Sequence, residues 1–371
     1  MEDISSGNGI YFSYMPSLLH IASVKIVSHL LKDFEIGRML DKDRPMRSRH
    51  YEPWRIELWR SIERTAEEKL PPLPPSLGTK VVGFLRPMYY QVIGWLLDND
   101  LYWVGHIYFY IKCDVFCWKS DGRIDRERTA KEIIHKELFD LKDCFILACT
   151  YYLTHEIIVL WGRIKKDRLK RSCRKGINPA VRFWMKYLKK GQVKPMDELT
   201  KKYFHPLNVG PKDISFRLSC YFSFLPQEFR QFYLLSHLFS TIHTDDIALC
   251  LNQMDERERM ELFQLNPTNA LIHCIQWPFY ALFLKAANEF SSYLRLDDFY
   301  RVLDHMITFY ILEGWDFYEP FNEFWNLIPD SYKDEIKEDE KYFNVIEAIL
   351  KYNKINPPEP LMEIIGKYYF G

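Results

Sequence analysis

The sequence predicts an all-α protein, built as an irregular array of stacked helix pairs of the α-solenoid kind. Three observations predict it. Apolar residues recur at helical rather than alternating spacing through most of the chain. Helix-starting residues (Ser, Thr, Asp or Pro) stand in front of those runs. A seven-residue pattern recurs 71 positions apart, close to two helix-pair units: Phe145-Ile-Leu147-Ala-Cys149-Thr-Tyr151 and Phe216-Arg-Leu218-Ser-Cys220-Tyr-Phe222. In a stacked array these Phe, Leu and Cys side chains are expected to face the neighbouring pair.

The elements follow in chain order. Met1 to Gly9 is acidic and polar, where a secretory leader needs a basic start and an apolar run, so no export is expected. Apolar residues at 18, 19, 21, 22, 24, 26, 27, 30 and 31 trace one helical stripe, with Ser17 as its cap. Pro53 opens a second helix whose Trp54, Leu58, Ile62 and Ala66, four apart, share a face. Leu70-Pro-Pro-Leu-Pro-Pro75 is a stiff non-helical connector, since each proline lacks an amide donor and biases the residue before it away from the helix. It also fits the PxxP pattern of SH3-type ligands, although such short matches are common by chance.

From 101 to 118 the residues are aromatic and β-branched, and periodicity does not decide between strand and helix. Further on, Asp125, Pro179, Pro226, Thr244 and Pro267 each introduce a helical run. The expected division is an N-terminal helical segment with its proline-rich linker, 1–75, followed by a helical-repeat-like array, 76–371.

Composition bounds the function classes. With 371 residues, 47% hydrophobic and 16% aromatic, core material is ample. Fifty basic residues balance fifty acidic ones, so the whole molecule has no net field to draw in nucleic acid or membrane. The most apolar stretch, 81–118, is broken by Arg86, Asp98, Asp100, Lys112 and Asp114, which excludes a bilayer span. Eight cysteines without a CxxC pair read as buried thiols. The Asn266-Pro267-Thr268 triplet is disqualified for glycosylation by its proline. A cytoplasmic location is expected, with a nuclear one as the alternative.

Searches for local chemistry return none. Placing Gly122 at position six of a calcium loop puts Cys117, Lys119 and Arg128 where carboxylates belong, so Asp121-Gly122 reads as a turn and Asp125 as a helix cap. His155-Glu156 begins a zinc-protease motif that Val159 ends. Cys113, Cys117 and His106 lack a second ligand pair at finger spacing. Gly7-Asn8-Gly9 meets Phe12 where a dinucleotide fingerprint needs glycine, and Gly366-Lys367 lacks the P-loop's leading glycine and its hydroxyl. His243 beside Asp245 and Asp246, or His305 beside Asp304, can pair a base with an orienter, but eleven histidines supply such neighbours by chance. No catalytic, cofactor or metal residues are therefore assigned.

Charge is nonetheless segregated. Between 163 and 194 thirteen basic residues face Asp167 alone, while 297–340 carries thirteen acids against Arg301, Lys333 and Lys337. The candidate anion-binding residues are Arg163, Lys165, Lys166, Arg168, Lys170, Arg171, Arg174 and Lys175. With Phe183, Trp184 and Tyr187 interleaved, such a segment can hold phosphates and stack bases, or it is a solvated face with its aromatics turned inward. The acidic arm lacks the ordered spacing of a metal loop. Its aromatics, Phe299, Tyr300, Trp315, Phe317, Tyr318, Phe321, Phe324 and Trp325, suit helix packing.

The segment Trp118-Lys-Ser-Asp-Gly-Arg-Ile-Asp125 with Arg128-Thr-Ala130, then Phe145 to Tyr152 and Leu160-Trp161, resembles an uncharacterised α-helical repeat-like protein family expanded in spiders. That resemblance implies a helical-repeat build and brings no activity, ligand or site. The sequence thus leads to a non-enzymatic protein–protein interaction scaffold. The alternative is a binder of nucleic acid or anionic lipid through 163–194.

Overall fold

The computed structural model describes residues 15–43, 53–99, 111, 114–164, 179–189, 196–208, 216–236, 244–352 and 361–370. Among these residues the fold is all-α: helix follows helix, with no named strand and only isolated bridge residues, Trp118 paired antiparallel with Ile124 and a further one at Phe216. The chain divides into two compact units. One joins 42–70 to 263–371, and the other joins 15–41 to 71–262. The prolines at 70–75 stand where the chain passes from the first to the second.

In the 71–262 unit, the helix Leu18–Leu30 starts at Ser17, whose hydroxyl accepts the His20 amide at 3.2 Å. Val24, Val27 and Leu30 are buried, but Leu18, Leu19 and Ile21 stand exposed, so the buried stripe is narrower than the sequence suggests. His20 Nε2 lies 2.9 Å from the Asp121 carbonyl, tying this helix to a tight turn. That turn closes through Lys119 N–H to Arg123 O and Asp125 N–H to Cys117 O, with Gly122 at a φ of 84° that a side chain would resist. The Asp121-Gly122 turn therefore stands where the sequence places it. Of the undecided segment 101–118, Ile111, Val115 and Phe116 are described and buried; the remainder up to 113 lies outside the described residues.

Asp125 caps the helix Arg126–His135 by accepting the Arg128 amide, and Asp140 does the same for Leu141–Thr150 through Asp143. The latter helix pairs with Thr154–Arg163, and Phe145 meets Trp161 at 5.8 Å between ring centroids. The predicted starts at Pro179, Thr244 and Pro267 open helices directly, and the helix Gln227–Ser236 begins one residue after Pro226. Pro75 also opens a helix, Pro75–Val82, because the first turn has no use for its missing amide.

The sequence repeat is corrected by the backbone. Phe145, Leu147 and Cys149 are buried on one α-helix, whereas Leu218–Cys220 is a single 3₁₀ turn and Phe216 precedes it outside any helix. Phe216 and Leu218 are buried all the same. The shared spacing thus reflects burial in two different backbones, not a duplicated helix pair.

In the unit built from 42–70 and 263–371, Pro53–Glu68 is a helix as predicted, but its buried face carries Trp59, Ile62 and Ala66. Trp54 is 47% exposed. Four-residue steps drift against the 3.6-residue turn, so Trp59 rather than Trp54 reaches the core. Phe283, Phe299, Phe321 and Phe324 fill that core, with Phe283 to Phe324 at 5.3 Å. Asp298 of the acidic arm is buried, where it accepts the Arg295 amide at 2.9 Å and the Thr268 hydroxyl at 2.6 Å.

Candidate functional site

The run Ile157-Ile158-Val159-Leu160-Trp161 lies on the helix Thr154–Arg163, and successive residues on a helix point about 100° apart. Five consecutive apolar residues cannot all face one neighbour. Ile157 and Leu160 are buried, which leaves Ile158 50% and Val159 46% exposed. Val159 then lines a cleft of about 570 Å³ walled by this helix, Leu141–Thr150 and the end of Arg126–His135. Exposed Leu141 adds to the apolar floor.

Charged groups form the cleft's rim. His135 Nε2 lies 3.5 Å from Glu156 Oε1, and Arg163 donates to Glu137 Oε1 at 3.1 Å. His155 and Asp140 also line it. His155 and Glu156 were singled out in the sequence for zinc, and here they border a groove, with Glu156 facing His135. The Cys144 thiol is present in the cleft, but burial raises its pKa above the ordinary range, and its hydrogen points to the Phe139 carbonyl at 3.5 Å. A protonated thiol is a poor nucleophile.

A second concavity in the same unit, about 240 Å³, is lined by Lys119, Asp125, Arg126, Glu127, Tyr151, Arg217 and Asp246. Several of its charges are already paired. Arg217 donates to Glu127 Oε2 at 2.7 Å, and its Nε lies 3.5 Å from Asp246 Oδ1. Arg126 donates to Asp98 at 2.7 Å. Asp246 accepts the Ser219 amide at 2.8 Å and also takes the Ser219 hydroxyl. Burial alone would raise the Glu127 carboxyl, but bonds from Lys131 and Arg217 outweigh it and hold the pKa below its usual value. The nearby Cys220 thiol is pushed up to about 11 by burial, against the pull of Arg217.

Of the sequence-predicted anion-binding residues, only Arg163 is described, and it pairs with Glu137. Lys165, Lys166, Arg168, Lys170, Arg171, Arg174 and Lys175 lie outside the described residues. The interleaved aromatics are placed: Phe183 and Trp184 are buried, and the Trp184 indole donates to the Tyr221 hydroxyl at 3.1 Å. Those two rings pack the core and offer no face for base stacking.

His243, the Asp245 side chain, His106, Cys113, Cys173 and Gly7 to Gly9 also fall outside the description. His305 does not form a base–carboxylate pair with Asp304. It packs on Phe309 at 4.6 Å, and burial lowers its pKa to about 4. No three His, Cys, Asp or Glu side chains are placed to hold a metal ion among the described residues. None of their helices is long and apolar enough to cross a bilayer.

Sequence reasoning singled out His155-Glu156 but neither the apolar run at 157–161 nor the groove. The signal was there, because five apolar residues in a row overfill one helical face. Comparisons with protein-family models, with curated proteins and with solved structures return no match to this chain.

Proposed function

We propose that the chain is a non-enzymatic protein-interaction scaffold that docks an apolar-anchored peptide segment of a partner in the cleft bordered by Val159, Leu141 and His155. The observation that carries this reading is the exposed apolar pair Leu141 and Val159 lining the cleft beside a rim of ion-paired charges. An apolar centre inside a polar rim is the usual anatomy of a docking patch, and large side chains at such centres supply most of the binding free energy. Burial holds the cleft's thiol protonated, which disfavours nucleophilic catalysis by Cys144.

The described cysteines are free thiols, which supports a reducing, cytoplasmic or nuclear setting for this activity.

The test is a peptide-library selection on the full chain, followed by affinity measurement on Leu141→Glu and Val159→Glu variants, both at cleft-lining positions. Both positions are exposed, so the fold should tolerate the change within about 0.5 kcal/mol. Selected peptides should bind the variants at least about tenfold more weakly. Peptides that bind parent and both variants equally would move the docking site elsewhere.

A further inference from the structure

Three helices of the 263–371 unit bring four tyrosines together. Tyr300 comes from Leu296–Met306, Tyr342 from Glu340–Leu350, and Tyr368 and Tyr369 from Leu361–Phe370. The Tyr300 and Tyr342 rings lie 5.3 Å apart between centroids, Tyr342 and Tyr368 5.6 Å, and Tyr368 and Tyr369 5.0 Å. Tyr342 is buried at the bottom; Tyr300, Tyr368 and Tyr369 are half-exposed around it.

The rim is acidic. Asp304 and Asp339 are exposed and lie within electrostatic reach of Tyr342 and Tyr368, and Glu335, Glu338 and Asp339 within reach of Tyr300. Asp304 Oδ1 already accepts the Tyr369 hydroxyl at 2.6 Å, and Asp339 Oδ1 accepts the Tyr342 amide at 3.0 Å.

One polar atom at the centre is unsatisfied. The Tyr342 hydroxyl is buried and has no hydrogen-bond partner, although the Tyr300 and Tyr368 rings pack on its ring and Asp304 and Asp339 lie within electrostatic reach. A buried hydroxyl without a partner is costly and asks for an explanation. A donor that carried positive charge would answer it, since it would bond the phenol oxygen, face the ring π-systems and neutralise the carboxylates together.

We infer that the tyrosine cluster Tyr300–Tyr342–Tyr368, with Asp304 and Asp339 at its rim, is a binding site for an alkylammonium group that still carries an N–H. The N–H donates to the Tyr342 oxygen, the charge lies between the carboxylates, and the alkyl chain runs along the rings. Tyr300 and Tyr368, whose rings pack on Tyr342, are half-buried, and rotation of these side chains gives the ammonium its way in. A lysine side chain of another protein and a free aliphatic amine present the same chemistry. The site is independent of the cleft near Val159.

Calorimetric titration of the full chain with n-butylammonium chloride, against sodium chloride of equal ionic strength, tests this. Saturable binding is expected, weakened about tenfold or more in Tyr342→Phe, which removes one oxygen and keeps the ring, and also in Asp304→Asn. Asp330→Asn, an exposed acid paired with Lys333 away from the cluster, should leave it unchanged. Tetramethylammonium, with no N–H to give, should bind more weakly to the parent and indifferently to Tyr342→Phe. N-acetyl-lysine amide and a lysine-bearing peptide then separate the sources: a peptide at least about tenfold tighter than the single residue assigns a protein partner, and equal affinities assign a free amine. No saturable butylammonium binding, or equal affinity for the parent and a Tyr342→Phe variant with unchanged thermal melting, would overturn the assignment.

Discussion

Replacing Asp43 by alanine should be among the most damaging single changes in the 42–70 and 263–371 unit. The carboxylate is fully buried, accepts Arg55 Nε at 2.8 Å and accepts the Trp59 indole N–H at 3.0 Å. Arg55 in turn lies 3.0 Å from Glu313, so one guanidinium connects the segment before the proline linker to the turn that follows Ile307–Ile311 in the same unit. Removing one member of a buried ion pair costs about 3–5 kcal/mol, because the remaining charge is left poorly solvated. At roughly 2–4 °C per kcal/mol for a unit of this size, Tm should fall by about 6–20 °C. Urea unfolding followed by tryptophan fluorescence reads the loss directly, with Trp59 itself a reporter. Asp43→Leu combined with Arg55→Met should recover much of it, since apolar replacement of a whole buried pair is often neutral. A loss for Asp43→Ala below about 1 kcal/mol would show that the pair is hydrated and does not hold this unit together.

Other consequences follow from burial and backbone geometry. Leu147→Asp and Leu218→Asp should each cost several kcal/mol, on the order of total stability, and unfold the 71–262 unit in circular dichroism at ordinary temperature. Gly314→Ala should lose about 1–2 kcal/mol in the same urea assay, because its φ is 77° and an added Cβ would stand 3.2 Å from the Ile56 side chain. His305 has a pKa lowered to about 4 by burial, below the 6.5 of an exposed imidazole. The unfolded chain therefore binds the proton first, so the stabilisation is complete above pH 6.5 and is lost as pH falls towards 4. Parent and His305→Gln, melted across that window, should show a shallower decline in the variant. Parallel curves would place His305 in water.

The all-α class was legible because helical spacing and caps are local. Ser17, Asp125, Pro53, Pro179, Thr244 and Pro267 all start helices where the sequence puts them. Faces were harder to read. Four-residue steps select Trp54, but the true turn buries Trp59, whose partner Asp43 lies sixteen residues away. The Phe-Leu-Cys repeat misled for a related reason, since burial of a Phe and a Leu two apart is satisfied both by an α-helix and by a 3₁₀ turn after a bridge residue. Apolar pattern reports burial before it reports backbone.

The sites were less legible than the elements. The docking cleft is assembled from three helices, and its charges, His135, Glu137, Glu156 and Arg163, meet only after chain reversals at 136–140 and 151–153. The tyrosine cluster gathers side chains from 300, 342, 368 and 369, with no spacing that marks them in sequence. The excess of acids over 297–340 was visible, however, and part of it forms that cluster's rim. Arg163 entered as an anion contact and stands as the partner of Glu137.

The most direct measurement of the scaffold reading is a crosslinking map. A library-selected peptide carrying a photoreactive residue at its apolar anchor is irradiated with the full chain, and the adducts are located by mass spectrometry. Adducts concentrated on Leu141, Val159 and the neighbouring lining residues are the predicted result. Adducts confined to other surfaces, with the cleft unlabelled, would contradict it.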